Sequence, residues 1–506
     1  MVKPREKMMH LVTLGGSVHT LNASTGQPGV LEAEVAVFPS VQALQNSNTD
    51  VAGKIVLFNV PFTTYGATVG IRSAGQEAAA KAGAAAALIR SVAPYSLQTP
   101  HTGSGKTHGK LVSDIPNAAI SLEDADQMQR MWDRGQQIKL QLYMEGNFTG
   151  YTTQSNVIIT LPGSDLSDQY VVLGGHIDTW FNAEGAMDDG GGFFFFLHAV
   201  RLISMLGLKP RRTIMAVAWV DEEQYQSGAA AFKLAHTDML PNISIALESD
   251  TGTFVPYALD FQGSQEAYET VLDAAELLSP MHAGNTTVNP FEPDTDIGPL
   301  CRAGVPCGGL RVLDPRIGDY SNNPCLPITA GSAPLAPTWS GGVAPNGGGS
   351  GYFFYHHTEA DTISHINDTQ LRLSTAALAS WAYAFAMAPS QLSRAGPAAS
   401  PTTAPPLPDP HPRTAERVCL AGFKESEILI ICIMCLAVVC VGVIGYLAGA
   451  AVGVNAPSSV KVGSLADLAK WALCSNLRCC PTKHPAVYSD LSARGLRDSS
   501  SYGAAA

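Results

Sequence analysis

The chain has 506 residues, 46% of them hydrophobic, which is enough for two or three domains with real cores and excludes a small disulfide-stapled scaffold. Its formal net charge is -12, with 31 Lys and Arg against 43 Asp and Glu, and no clustered basic stretch of the kind a phosphate backbone needs. Nucleic acid is excluded as a partner on that ground, while small, peptide-like or cationic partners stay open.

In chain order, residues 11–150 read as a small α/β module. Glu32 to Phe38 (EAEVAVF) and Lys54 to Val60 (KIVLFNV) have the alternating or continuous apolar pattern of strands, and Ala74 to Ala87 reads as an Ala-rich helix leading into Leu88 to Arg90. His101 and His108 lie in a Gly/Ser/Lys loop and read as exposed, solvated side chains. No catalytic cluster is visible in this module.

From 151 to 389 the alternation of strand and helix strengthens. Tyr170 to Gly175 (YVVLGG), Thr213 to Val220 (TIMAVAWV) and Ile243 to Leu247 (ISIAL) are apolar runs of the kind buried on both faces of a mostly parallel sheet. Candidate metal ligands follow them: His176, Asp188, the pair Glu222 and Glu223, Asp250 and, further on, His357. Sites in open α/β sheets form outside the carboxyl ends of the strands, so chain-distant segments converge there. Five ligands with one shared give three per metal, as two neighbouring hydrolytic metals require. In that count Asp188 bridges, His176 and Asp250 complete one position, and Glu223 and His357 complete the other.

The remaining groups take supporting roles. Asp178, two residues after His176, is placed to accept the second imidazole N–H and fix its tautomer. Glu222 is assigned general acid/base work, because adjacent residues at a strand end point in different directions. Asp188 opens Asp-Asp-Gly-Gly-Gly before an apolar helix, Phe193 to Leu206, where glycine lets backbone approach a metal and the helix N-terminus favours carboxylate charge. His356 adjoins His357, and only one imidazole is required. His198 reads as a core histidine and His365 as a surface one.

Asp314 to Gly351 is Gly/Pro-rich and reads as a long surface loop, and 390–427 as a Pro-rich linker. Ile428 to Val454 gives 27 positions without a charge, enough for a transmembrane helix. The tail, 455–506, is polar and largely without pattern apart from one short amphipathic stretch at Leu465 to Leu473. Asn22, Asn147, Asn242, Asn285 and Asn367 each begin an Asn-x-Ser/Thr sequon before the span, placing that part in the lumen or outside the cell. Met1 to Val12 carries no apolar export segment, so either an upstream portion precedes Met1 or the domain is cytosolic and tail-anchored. Cys301, Cys307 and Cys325 allow one disulfide pair among themselves.

At its motifs the chain resembles the di-zinc exopeptidases related to aminopeptidase Y and glutamate carboxypeptidase. The matching strings are Gly-Gly-His176-Ile-Asp178-Thr-Trp, Gly-Ala-Met-Asp188-Asp-Gly-Gly-Gly, Glu222-Glu223-Gln, Glu-Ser-Asp250-Thr-Gly-Thr-Phe and Phe-Phe-Tyr-His-His357-Thr-Glu-Ala-Asp361-Thr. The likeness runs from about Leu11 to Ala388, since Ile89-Arg-Ser-Val-Ala and Pro100-His-Thr-Gly resemble the family's inserted protease-associated domain. It implies a mixed, mostly parallel sheet with helices on both faces, two Zn2+ ions, and action on short peptides or dipeptides with a free amino terminus. It also implies a homodimer, peptidase-domain segments upstream of Met1, and His357 over His356 as ligand. Tyr225 stands where the family often has Gly, which implies altered specificity. The competing class is a catalytically inactive ectodomain serving as a receptor or binding module.

Overall fold

The computed structural model describes residues 1–94, 98–106, 109–288, 295–314 and 351–394. His108, Cys325, the linker beyond residue 394, the expected span at 428–454 and the stretch at 465–473 lie outside the described residues. Among the described residues no helix is long and apolar enough to cross a membrane.

Six short strands, β1 (Leu11–Thr13), β2 (Leu31–Phe38), β3 (Ile55–Phe58), β4 (Ala86–Arg90), β5 (Asn117–Ile120) and β6 (Lys139–Leu142), form one sheet in the order β1-β5-β4-β3-β2-β6. The four central strands are parallel and the two edges antiparallel. Strand β3 (IVLF) is buried at every position because a helix covers each face. Ile71–Lys81 packs Ala78 and Ala79 on one side, and Leu122–Asp133 packs Ala125, Met128 and Met131 on the other. The latter helix starts where the Ser121 hydroxyl accepts the Asp124 N–H.

The first of these helices ends earlier than its alanines suggest. Ala86 and Ala87 are registered against Ile55 and Val56 in the sheet, so strand pairing overrides the helix propensity of the Ala run.

A second sheet of seven strands holds β7 (Val157–Leu161), β8 (Leu166–His176), β9 (Arg212–Trp219), β10 (Ile243–Glu248), β11 (Val255–Gln262), β12 (Asn285–Val288) and β13 (Cys307–Leu313), in the order β12-β11-β13-β10-β8-β9-β7. It is mixed: β7 and the β11–β13 pairing are antiparallel, while β9, β8 and β10 are three adjacent parallel strands. Helices Gly191–Met205 and Asp368–Met387 cover one face with Phe195, Phe196, Trp381 and Phe385, each fully buried. Each such side chain contributes about 1.5–3 kcal/mol of transfer free energy. Ser227–Ala235 and Gly298–Cys301 cover the other face.

His198 is not in this core. It lies on the outward side of its helix, with its ring stacked 6.1 Å from the exposed Phe194. His365 is exposed as expected. Cys301 and Cys307 form a disulfide. Asp314 and Gly351 adjoin, since a Cβ on Gly351 would stand 2.3 Å from the Asp314 carboxylate. Both sheets belong to one compact unit, Met1–Ala448.

Candidate metal centre

Neighbouring strands lie about 4.8 Å apart, so the carboxyl ends of β9, β8 and β10 bring their following residues into one crevice. His176 is the last residue of β8 and is fully buried. Its Nε2 faces Asp188 Oδ1 at 3.2 Å, Asp250 Oδ1 at 3.7 Å and Glu222 Oε2 at 4.0 Å. None of these makes a directed hydrogen bond to it.

The tautomer of His176 is fixed, but not by the group expected. Nδ1 lies 2.9 Å from the backbone carbonyl of Asp178, while the Asp178 carboxylate is 3.9 Å away. That carboxylate instead accepts the backbone N–H groups of Glu222 (3.1 Å) and Glu223 (3.2 Å). The Asp178 carbonyl thus meets the ring, and its side chain is left to hold the next ligand segment.

Asp188 sits in a turn, 186–190, ahead of the Gly191–Met205 helix. Its Oδ1 faces His176, and its Oδ2 stands 3.3 Å from His357 Nε2. The turn is held by Asp361, whose carboxylate accepts the N–H groups of Met187 (2.6 Å) and Asp188 (3.1 Å). Asp189 turns back to cap the helix at the Gly192 N–H, 3.0 Å away. The glycines serve packing more directly than metal approach: a Cβ on Gly192 would lie 1.9 Å from the Ser249 carbonyl, so the helix start can press against the segment that carries Asp250.

Glu222 and Glu223 diverge for a different reason from the one strand geometry suggested. Strand β9 stops at Trp219, and the pair occupies a single helical turn, Glu222–Tyr225, between two left-handed residues, Asp221 (φ 62) and Gln226 (φ 54). Adjacent residues on a helix point about 100° apart. Glu223 Oε2 lies 3.0 Å from His357 Nε2 and also accepts the Trp180 indole N–H.

His357 adopts a left-handed conformation (φ 60). Its Nδ1 is 3.1 Å from the carbonyl of Thr102, in the module read as free of catalytic function. His356 stacks on it with ring centroids 3.7 Å apart and brings its own Nε2 to 3.8 Å from Asp188 Oδ2. The ligand atoms of Asp188, His356 and His357 fall within 4.8 Å of one another, as do those of His176, Asp188 and Asp250. His101 is likewise buried rather than solvated, because its loop folds beneath the peptidase; burial, with Arg72 and His357 adding, pushes its pKa down to about 3.

The charges around this crevice are unbalanced. Burial pushes the Glu222 carboxyl up; His176 works against this, while Asp250, Glu223 and Asp188 add to it. Glu223 and Asp250 are raised too, burial first. Burial opposes charge on Asp188, yet His176 and His357 hold it well below the usual carboxylate range. Among the described residues no Lys or Arg pairs with any of these acids; their ion-pair partners are histidines. Asp188 Oδ2, Glu223 Oε1 and His176 Nε2 are buried without a hydrogen-bond partner among the described residues. Imidazole nitrogen and carboxylate oxygen in this number suit zinc.

Several supporting groups escaped the sequence reading. Asp361 stood in a quoted motif without a role. Trp180 donates its indole N–H to Glu223, and the Tyr352 hydroxyl donates to Asp250 Oδ1 at 3.3 Å; neither was given a role from sequence. Thr102 contacts the site through its main chain, which its side-chain identity does not announce.

This site on this sheet defines a zinc metallopeptidase, and the chain belongs to peptidase family M28, whose model matches residues 156–382; a PA domain model matches 23–128. Within the family it is similar to carboxypeptidase Q: 36% identical over 386 residues to the Homo sapiens protein, covering 76% of this chain and 72% of that one. The Xenopus laevis protein is 35% identical over 376 residues, covering 74% and 71% respectively. A solved peptidase M28 precursor from Shewanella amazonensis SB2B superposes with a TM-score of 0.66 at 29% identity, over 78% of this chain and 82% of that chain. The chain is a metallo-exopeptidase of this family.

Proposed function

We propose that the chain hydrolyses short peptides or dipeptides with a free amino terminus, using two zinc ions. One is held by His176, Asp188 and Asp250, the other by Asp188, Glu223 and His357. The observation that carries this reading is the Asp188 carboxylate, whose oxygens face different imidazoles at 3.2 and 3.3 Å. A shared carboxylate is what a two-metal hydrolytic site needs. The similarity to carboxypeptidase Q supports the substrate class.

When bound, zinc supplies Lewis acidity to the scissile carbonyl and makes water more acidic. Glu222 is the proposed general base. Its Oε1 is 3.4 Å from the Gln226 amide and its Oε2 looks into the crevice. A carboxylate there takes the proton of the attacking water and passes it to the leaving amine nitrogen. Asp178 positions Glu222 and Glu223 through their N–H groups, and Trp180 restrains Glu223.

Glu222→Gln is expected to lower kcat by about 10²- to 10⁴-fold with zinc content unchanged by elemental analysis. Parallel loss of metal and turnover reassigns Glu222 as a ligand. Bound zinc without any dipeptide hydrolysis by the natural sequence supports a binding module instead.

We further propose that the residues before 428 lie on the lumenal or outer side of a membrane crossed by 428–454. Asn147, Asn285 and Asn367 are exposed, and the Cys301–Cys307 disulfide suits an oxidising compartment. Expression in a secretory cell should give a chain whose mobility changes on endoglycosidase treatment; unchanged mobility counts against this topology.

A further inference from the structure

The two imidazoles of the centre are oriented alike, but from different sheets. His176 places Nδ1 against the carbonyl of Asp178, two residues along its own strand end. His357 places Nδ1 against the carbonyl of Thr102, 255 residues away. A second bond closes the same contact in the other direction, the Thr102 N–H donating to the His357 carbonyl at 3.0 Å. We infer that the Thr102 main chain is a positioning element for His357, so that one of the two metal positions is built jointly by the protease-associated domain and the peptidase domain. This rests on the reading of His357 as a ligand.

The loop carrying Thr102 is held as a positioning element must be. Thr102 is fully buried, and its hydroxyl donates to the Thr13 carbonyl at 2.6 Å. The Gly15 N–H bonds the Gly103 carbonyl at 2.8 Å, and the Gly105 N–H bonds the Gly15 carbonyl at 2.9 Å. The His101 N–H reaches Ser91 Oγ at 2.9 Å. Thr13 ends β1 and Ser91 follows β4, so the loop is tied to the sheet at separate places. From below, the Arg72 guanidinium packs against Gly103, where a Cβ would stand 2.2 Å from Nη1 and where φ is +141, a conformation open to glycine.

An imidazole ligand needs its second nitrogen held if the first is to present a lone pair in a fixed direction. On the His176 side that requirement is met inside the peptidase domain. On the His357 side it is met by a carbonyl of the protease-associated domain, and the left-handed His357 backbone turns its own carbonyl toward the Thr102 N–H and the Asn182 amide, 3.3 Å away. Weakening this contact should therefore loosen one metal and spare the other.

The test replaces Gly103 by glycolic acid in the full chain, turning the 102–103 amide into an ester. The Thr102 carbonyl becomes a poorer acceptor, no atom is added, and the lost Gly103 N–H donates to nothing among the described residues. Zinc itself is the probe, titrated against a chromophoric chelator, with melting of the metal-free protein measured in parallel. The expected result is one zinc bound about 10- to 100-fold more weakly, the other unchanged, and unaltered metal-free melting. His357→Ala should lose that same ion. Gly103→Ala is the simpler variant, expected to act in the same direction. If His357→Ala keeps two tight ions, the ligand reading fails. If His357→Ala loses one ion while the ester protein binds two at natural affinity, the ligand reading stands and the positioning role of Thr102 is overturned.

Discussion

The domain built on the seven-stranded sheet supplies every candidate ligand and the six-stranded sheet's domain supplies none, yet a loop of the second closes on His357 as tightly as the first closes on His176. The difference separates two kinds of contribution. Ligation and proton transfer need particular side chains, and those cluster where β8, β9 and β10 end. Orientation needs only a carbonyl at the right distance, which either sheet can offer. The His176 half of the centre is thus supported within the peptidase domain, whereas the His357 half leans on the neighbouring domain.

Asp188 belongs to both halves, so its loss is the most severe way to break the comparison. Asp188→Ala should drop zinc content below one ion per chain and take dipeptide hydrolysis to background, measured by elemental analysis and a discontinuous amine assay. Retention of one tightly held ion would show that the carboxylate is not shared. Next in size is Asp178→Asn, which weakens the acceptor for the Glu222 and Glu223 N–H groups and leaves the carbonyl on His176 untouched. Turnover should fall about 10- to 100-fold while the His176-side ion keeps its affinity. Loss of that ion instead would mean that the carboxylate, not the carbonyl, orients the ring.

That pair of outcomes also marks how far sequence could be read. Strands β8, β9 and β10 were legible because parallel strands buried on both faces must be apolar throughout, and the candidate donors near their ends stood out by chemical type. The use made of those donors was less so. Two residues after His176, a carboxylate looked like its partner; the carbonyl of the same residue takes that place, and spacing alone cannot distinguish the two. His101 looked solvated because its loop is rich in Gly, Ser and Lys, and composition does not say which surface a loop folds beneath. Thr102 stood only inside the Pro100-His-Thr-Gly string, with nothing to mark its main chain, since every residue has a carbonyl. Glu222 faces His176 and Glu223 faces His357, and the cause is a tight helical turn between two left-handed residues rather than strand alternation. Ala86 and Ala87 read as helix because propensity is local and the pairing with Ile55 and Val56 is not.

The mildest probe of the comparison sits where the two sheets meet at the mouth of the crevice. Lys106, from the same loop as Thr102, donates to Gln224 Oε1 at 2.7 Å and lies 4.0 Å over the Tyr225 ring. Burial lowers the pKa of its ammonium, with Asp221 opposing. Lys106→Met keeps most of the packed stem and removes a cation–π contact worth about 0.5–1 kcal/mol together with a hydrogen bond of about 0.5–1.5 kcal/mol. The contact touches the residues after Glu223 but no candidate ligand, so the variant should melt slightly earlier, change KM by a few-fold at most, and leave kcat and zinc content as they were. A fall in kcat at constant zinc would place Lys106 within reach of the reacting peptide, and the protease-associated loop would then contribute to substrate handling as well as to the orientation of His357.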